Sequence, residues 1–94
     1  MAVYLVTWDL NRQQPNYSEA RNRLIEHLSR YETIRDANLD SVWFVRSQAD
    51  SATLMTDIRR AMTDNDRLFV TKLVNGEYHG WLEQRVGNWI DQRI

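Results

Sequence analysis

The chain has 94 residues, enough for one hydrophobic core and too few for a second domain. It contains no cysteine, which excludes disulfides, thiolate nucleophiles and thiolate metal sites. A formal net charge of −1 gives no general attraction to nucleic acid, and no apolar run is long enough to cross a membrane. Because the first residues also lack the pattern of a signal peptide, we expect a single cytoplasmic domain over residues 1–94, with no membrane contact.

The segment Val3 to Leu10 is rich in β-branched and aromatic residues, which predicts a strand. Both of its faces are apolar, with Val3 and Leu5 on one face and Tyr4 and Trp8 on the other. A strand of this kind is typical of the centre of a sheet that is covered on both sides.

Two amphipathic helices are predicted from apolar residues at helical spacing. The first runs from Tyr17 to Tyr31, with Asn16 as a candidate N-cap and Glu19 three residues later, as in a capping box. The second covers Leu54 to Met62 and is ended by the polar segment 63–66.

Three further strands are predicted, at Asp40–Arg46, at Arg67–Val74 and, after the hairpin signal Asn75-Gly76, at Glu77–Leu82. The segment Thr33–Leu39 fits either a loop or an added short strand. The tail, Glu83–Ile94, carries apolar residues at helical spacing.

This order matches a ferredoxin-like βαββαβ fold of the α+β class, with an antiparallel sheet and two helices on one face. The other face would then expose Trp8 and Trp43, an apolar patch that a monomer rarely leaves open. We therefore expect a homodimer, with the C-terminal extension and its Trp81 and Trp89 reaching toward the partner.

Several short segments resemble the CRISPR-associated Cas-two proteins. The first strand, Tyr4–Leu10, ends in an aromatic residue, an aspartate and an aliphatic residue, as in that family. Ser41–Val45 is similar to its Ser-Val-Phe strand, and Asp64–Val70 to the start of its next strand. Together with Gly80-Trp81-Leu82, these segments are most similar to stand-alone Cas-two-like proteins described as SinR-like, which are related to the VapD toxins.

The resemblance implies a ferredoxin-like homodimer whose last strand crosses to the sheet of the partner. It also implies an architectural part in spacer acquisition and, as for several members of the family, metal-dependent nuclease activity. The long polar loop after Asp9 and the net acidity differ from the basic duplex-binding surface that spacer acquisition requires.

Asp9, at the end of the first strand, is the candidate catalytic and metal-binding residue. With its symmetry mate it could hold Mg²⁺ through carboxylate oxygens and activate a water for phosphodiester attack. The alternative is that Asp9 caps the turn that follows it. Asn11 and Arg12 are candidate nucleic-acid contacts that would steady a phosphate, or else ordinary loop residues.

Other candidates are weaker. Tyr17, Arg21 and Ser41 could approach the rim of the same site. We expect His27 to be exposed on the outer side of the first helix, and the two histidines do not have the spacing of a metal site. The arginines of both helices are more typical of a solvated face, and the tryptophans of a core or a dimer interface, than of nucleic-acid contacts.

The sequence thus leaves two functional hypotheses. The first is a weak metal-dependent endoribonuclease with Mg²⁺ as its cofactor. The second is a non-catalytic module that binds RNA, DNA or a protein.

Overall fold

The computed structural model describes all 94 residues. The elements in chain order are β1 (Ala2–Asp9), α1 (Tyr17–Leu28), β2 (Glu32–Ile34), β3 (Val42–Ser47), α2 (Ser51–Arg59), β4 (Arg67–Lys72) and α3 (Gln84–Arg93). The four strands form one antiparallel sheet in the order β2-β3-β1-β4. Helices α1 and α2 cover one face and α3 packs on the other, an arrangement compatible with a ferredoxin-like α+β fold. None of the three helices has the length and apolar character needed to cross a lipid bilayer.

Strand β1 lies in the interior of the sheet, as its two apolar faces predict. It pairs with β3 along one edge and with β4 along the other. Val3 and Tyr4 point to opposite faces, and both are buried. The strand therefore contributes to two separate cores.

The larger core lies between the sheet and the helices α1 and α2. Leu24 and Leu54, one from each helix, are fully buried there. Trp8 and Trp43 belong to this core, with ring centroids 6.3 Å apart. The prediction that these two tryptophans line an open sheet face is therefore wrong, because their side chains point toward the helices.

The smaller core lies on the opposite face, beneath α3. Val86 and Ile90 of α3 pack against Val3 and Phe44, and all four are buried. The C-terminal segment, predicted to extend toward a dimer partner, thus packs in this structure on the sheet of its own chain.

Polar contacts tie α3 to the strand β2 and the turn after it. The guanidinium of Arg93 pairs with Glu32 at 2.5 Å. The amide of Glu83 donates to the carboxylate of Asp36 at 2.7 Å, and Arg85 donates to the backbone carbonyl of residue 35 at 3.1 Å. These contacts fix the start and the end of α3 against the sheet edge.

The predicted strand Glu77–Leu82 does not form. The preceding turn is closed by a hydrogen bond from the amide of Glu77 to the carbonyl of Val74 at 2.8 Å. Gly76 has a φ of 84°, but Asn75 is not in the positive region, which corresponds to a type II turn. A type II turn does not match the twist of a β-hairpin, and the chain after it continues without pairing.

The remaining boundaries also have local causes. The open segment after α1 contains the added short strand β2. Helix α2 begins three residues earlier than predicted, because the Asp50 side chain accepts a hydrogen bond from the amide of Thr53 and caps the helix. Asn16 lies at the N-cap position of α1, but its side chain makes no capping hydrogen bond.

Candidate functional site

Asp9 is the last residue of β1 and is exposed. It lies opposite Arg67 of β4 and makes no hydrogen bond or ion pair within the chain. Alternation along β1 places it on the same sheet face as Val3, about 20 Å from Val3 along the strand. Its carboxylate is therefore open to a ligand.

The loop after Asp9 is held by other residues. The Asn11 side chain accepts a hydrogen bond from the amide of Gln13 at 3.0 Å, and the Gln14 side chain donates to the carbonyl of Asn11 at 2.8 Å. The alternative role of Asp9, as the cap of this turn, is therefore not the one that the structure shows.

Asp66 anchors this loop to the start of β4. One oxygen of its carboxylate accepts the amide of Asn11 at 2.7 Å, and the other accepts the amide and the hydroxyl of Thr63 at 2.8 and 3.1 Å. Burial acts to raise the pKa of Asp66, but the hydrogen bonds from Asn11 and Thr63 outweigh it and hold this pKa below its usual range. The sequence predicts Asp66 in a helix-breaking segment and at the start of the next strand, and it does not indicate this anchoring role, since the main partner lies 55 residues away.

Arg12 and Arg67 flank the end of β1 without carboxylate partners. The guanidinium of Arg12 lies 5.6 Å from the ring centroid of Tyr17, and the side chain is exposed. Arg67 donates to the backbone carbonyls of residues 64 and 66. Neither makes an ion pair, so both guanidinium groups keep donors for an anion such as phosphate.

The structure brings other predicted rim residues to this end of the sheet. The carbonyl of Ser41 accepts a hydrogen bond from the amide of Trp8 at 3.2 Å, which places Ser41 beside the strand end. Tyr17 lies beside the site because its ring contacts the guanidinium of Arg12. Arg21 lies one helical turn after Tyr17 and forms no ion pair.

The donor set fits a shared metal better than a metal held by one chain. No group of three or more acidic or histidine side chains converges in the chain. Asp9 offers two free oxygens, whereas both oxygens of the nearby Asp66 are occupied by hydrogen bonds. Because Mg²⁺ commonly binds one or two carboxylates and completes its shell with waters and phosphate, Asp9 of two protomers would suffice.

Neither histidine contributes to this site. His27 is not exposed as predicted: its side chain is 17% accessible, and Nε2 donates to the backbone carbonyl of Asp57 at 2.8 Å. His79 is exposed in the unpaired segment before α3.

A polar cluster around Asp57 joins α1 to α2. The hydroxyl of Tyr31 donates to the Asp57 carboxylate, and this bond is the main cause that lowers the pKa of Asp57. Burial and the same contact raise the pKa of Tyr31 to about 12. Tyr31 therefore stays protonated and acts as a donor between the helices, not as a base.

Five carboxyl groups have pKa values held below their usual range: Glu32, Asp36, Asp50, Asp57 and Asp66. Such groups add stability above their unfolded pKa, about 4, and this stability is lost as pH falls through the lower pKa of the folded state. We therefore expect the free energy of unfolding to decrease steeply below about pH 4. Urea titrations from pH 7 to pH 2.5 measure this, and equal midpoints at pH 6 and pH 3 would contradict it.

No protein-family model matches the chain, and no curated protein is significantly similar to it in sequence.

Proposed function

We propose that the protein is a homodimeric, metal-dependent endoribonuclease of the Cas-two-like kind. The observation that carries the proposal is the Asp9 carboxylate, which is exposed and without a partner at the end of β1. Arg67 lies opposite it in the sheet and Arg12 follows in the next loop, and neither has a carboxylate partner. The resemblance of the strand Tyr4–Leu10 to the first strand of that family supports it.

In this proposal the Asp9 carboxylates of two protomers would hold one divalent metal. A metal bound there would supply activation of a water for attack on a phosphodiester. Arg12 binds the phosphate through its forked guanidinium, and Tyr17 beneath it limits the positions of that side chain. Asn11, fixed through its amide by Asp66, sets the course of the loop that carries Arg12.

The dimer is required because each chain supplies one free carboxylate at this position. With metal–oxygen distances of a little over 2 Å and one bridging water, the two Asp9 side chains must come within roughly 10 Å of each other. Asp9 lies on the same sheet face as α3, at the end of β1, and a second copy placed against this end of the face would bring the two carboxylates together.

A second candidate function is the binding of nucleic acid without cleavage. It is favoured by the unpaired arginines and does not require Asp9 or a metal. Arg12, Arg21 and Arg67 form no ion pairs, and each can contact a backbone phosphate whether or not a metal binds. Such binding would be sensitive to salt.

The experiment is incubation of metal-stripped, repurified protein with labelled single-stranded RNA, with and without Mg²⁺. We expect cleavage that requires Mg²⁺ and that falls to the metal-free background in Asp9→Asn, because the amide replaces a charged metal ligand. Asp64→Asn is the matched control: it makes the same change on an exposed side chain and should cleave like the wild type.

Equal cleavage by the wild type and Asp9→Asn would contradict the nuclease proposal. Filter binding of RNA and DNA at two salt concentrations then tests the second function. Binding that weakens in Arg12→Ala and is unchanged in Asp9→Asn supports it, and no binding to either nucleic acid removes it.

A further inference from the structure

A groove of about 660 Å³ runs between α3, the unpaired segment before it and the second face of the sheet. Its floor is the sheet and its wall is α3. Nine of its 16 lining residues are apolar or aromatic, among them Leu5, Val42, Phe44, Leu73, Tyr78 and Ile90. A groove of this size and lining is typical of a binding site for an apolar group.

Trp81 stands at the rim of this groove with 101% of its surface exposed. Phe69 of β4 is 63% exposed on the same sheet face, opposite Thr7 in the β1–β4 pair. Leu5, two residues before Thr7, lines the groove, so the exposed surface of Phe69 continues into it. The chain thus places an exposed aromatic anchor and an apolar groove side by side.

We propose that the groove of each protomer receives Trp81 of a second copy of this chain. This inference rests on the homodimer of the proposed function and names the contact that forms it. A two-fold interface is self-complementary, because the same patch supplies the anchor to the partner and the receptor for the partner. A patch that holds both Trp81 and its receptor meets this condition.

The exposed area agrees with such an interface. Trp81 and Phe69 together expose roughly 350 Å² of aromatic surface. One side of a standard interface buries roughly 800 Å², of which about 57% is apolar. The two side chains therefore supply most of the apolar area that one partner needs.

The polar lining suits an indole. A buried tryptophan needs an acceptor for its ring N–H. The α3 wall of the groove carries the amide side chains of Gln84 and Asn88 and the carboxylate of Asp91, each of which has an acceptor oxygen. One oxygen of Asp91 accepts from the hydroxyl of Tyr78 at 2.8 Å, and the other is free.

Gly87 keeps the wall of the groove open. It lies inside α3 and lines the groove, and a Cβ built on it would meet no atom within 4 Å. Glycine inside a helix is less stable than alanine, so neither backbone geometry nor local packing explains it. The space that the partner's indole requires explains the glycine at this position.

The test is sedimentation equilibrium of the wild type and of two variants. Trp81→Ala removes the anchor, and Gly87→Leu fills the groove from the α3 side without a clash at Cβ. We expect each to raise the dimer dissociation constant at least ~30-fold, the effect of losing one interface anchor. Met55→Ala, which removes an exposed apolar side chain from α2, is the matched control and should leave the dimer intact.

The outcomes separate this contact from the proposed activity. A wild-type dimer that persists in both Trp81→Ala and Gly87→Leu overturns the inference and leaves the Asp9 test of cleavage untouched. A wild type that is monomeric at every concentration overturns it as well. Monomeric variants with unchanged circular dichroism, beside a dimeric wild type and a dimeric Met55→Ala, establish it even if Asp9→Asn shows no loss of cleavage.

Discussion

Replacing Ile90 by aspartate is expected to detach α3 from the sheet and to lower the free energy of unfolding by roughly 3–5 kcal/mol. Ile90 is 2% exposed and packs with Val86 against Val3 and Phe44. A carboxylate at this position would lie in an apolar core without a partner. Since α3 has 10 residues, it is too short to be stable in water without this packing.

The measurement is urea unfolding followed by circular dichroism, with the native-state helix content compared in the same samples. Gln92→Asp introduces the same charge on the exposed side of α3 and should change the stability by no more than about 0.5 kcal/mol. If Ile90→Asp keeps both the helix content and the urea midpoint of the wild type, the packing of α3 on the sheet is wrong.

This second core marks the limit of what the sequence could predict about the fold. The apolar pattern of β1 is sufficient to place that strand inside the sheet, because both of its faces need cover. The pattern does not say which face receives α1 and α2. Trp8 and Trp43 were therefore predicted on the open face, whereas they lie beneath the helices.

The C-terminal segment shows the same limit. Its helical spacing was visible in Val86, Trp89 and Ile90, but spacing does not identify the surface that a helix packs against. The deciding contacts join Arg93 to Glu32 and the amide of Glu83 to Asp36, across 61 and 47 residues of the chain. The Asn75-Gly76 pair suggested a hairpin because both residues tolerate positive φ, but only Gly76 adopts it.

The sequence is sufficient to predict the site residue whose place is set by the position of a strand. It is not sufficient for side chains whose role is set by hydrogen bonds to residues far away in the sequence. Asp9 follows directly from the end of β1. The roles of Asp66 and His27 could not be predicted, because their partners lie 55 and 30 residues away. Short-range patterns describe a turn or a helix face, but not the tertiary hydrogen bond that a buried polar side chain makes.

Asp66→Ala is the second change with a large expected effect, a loss of roughly 2–3 kcal/mol in the free energy of unfolding. Asp66 is 7% exposed and accepts hydrogen bonds from the amides of Asn11 and Thr63. Without the carboxylate, these amides lose their acceptor. Asp66→Asn keeps one acceptor oxygen and removes the charge, so its loss should be smaller.

Asp66→Ala also tests whether RNA binding depends on the loop that Asp66 anchors. Because Asp66 fixes the amide of Asn11, its removal should accelerate hydrogen exchange at residue 11 and weaken RNA binding through Arg12, while Asp9 keeps its position in β1. Asp64→Ala, on an exposed side chain two residues earlier, should do neither. If Asp66→Ala destabilises the protein but leaves RNA binding unchanged, the loop that carries Arg12 does not need to be ordered by Asp66, and the phosphate contact must lie with Arg67 or Arg21 instead.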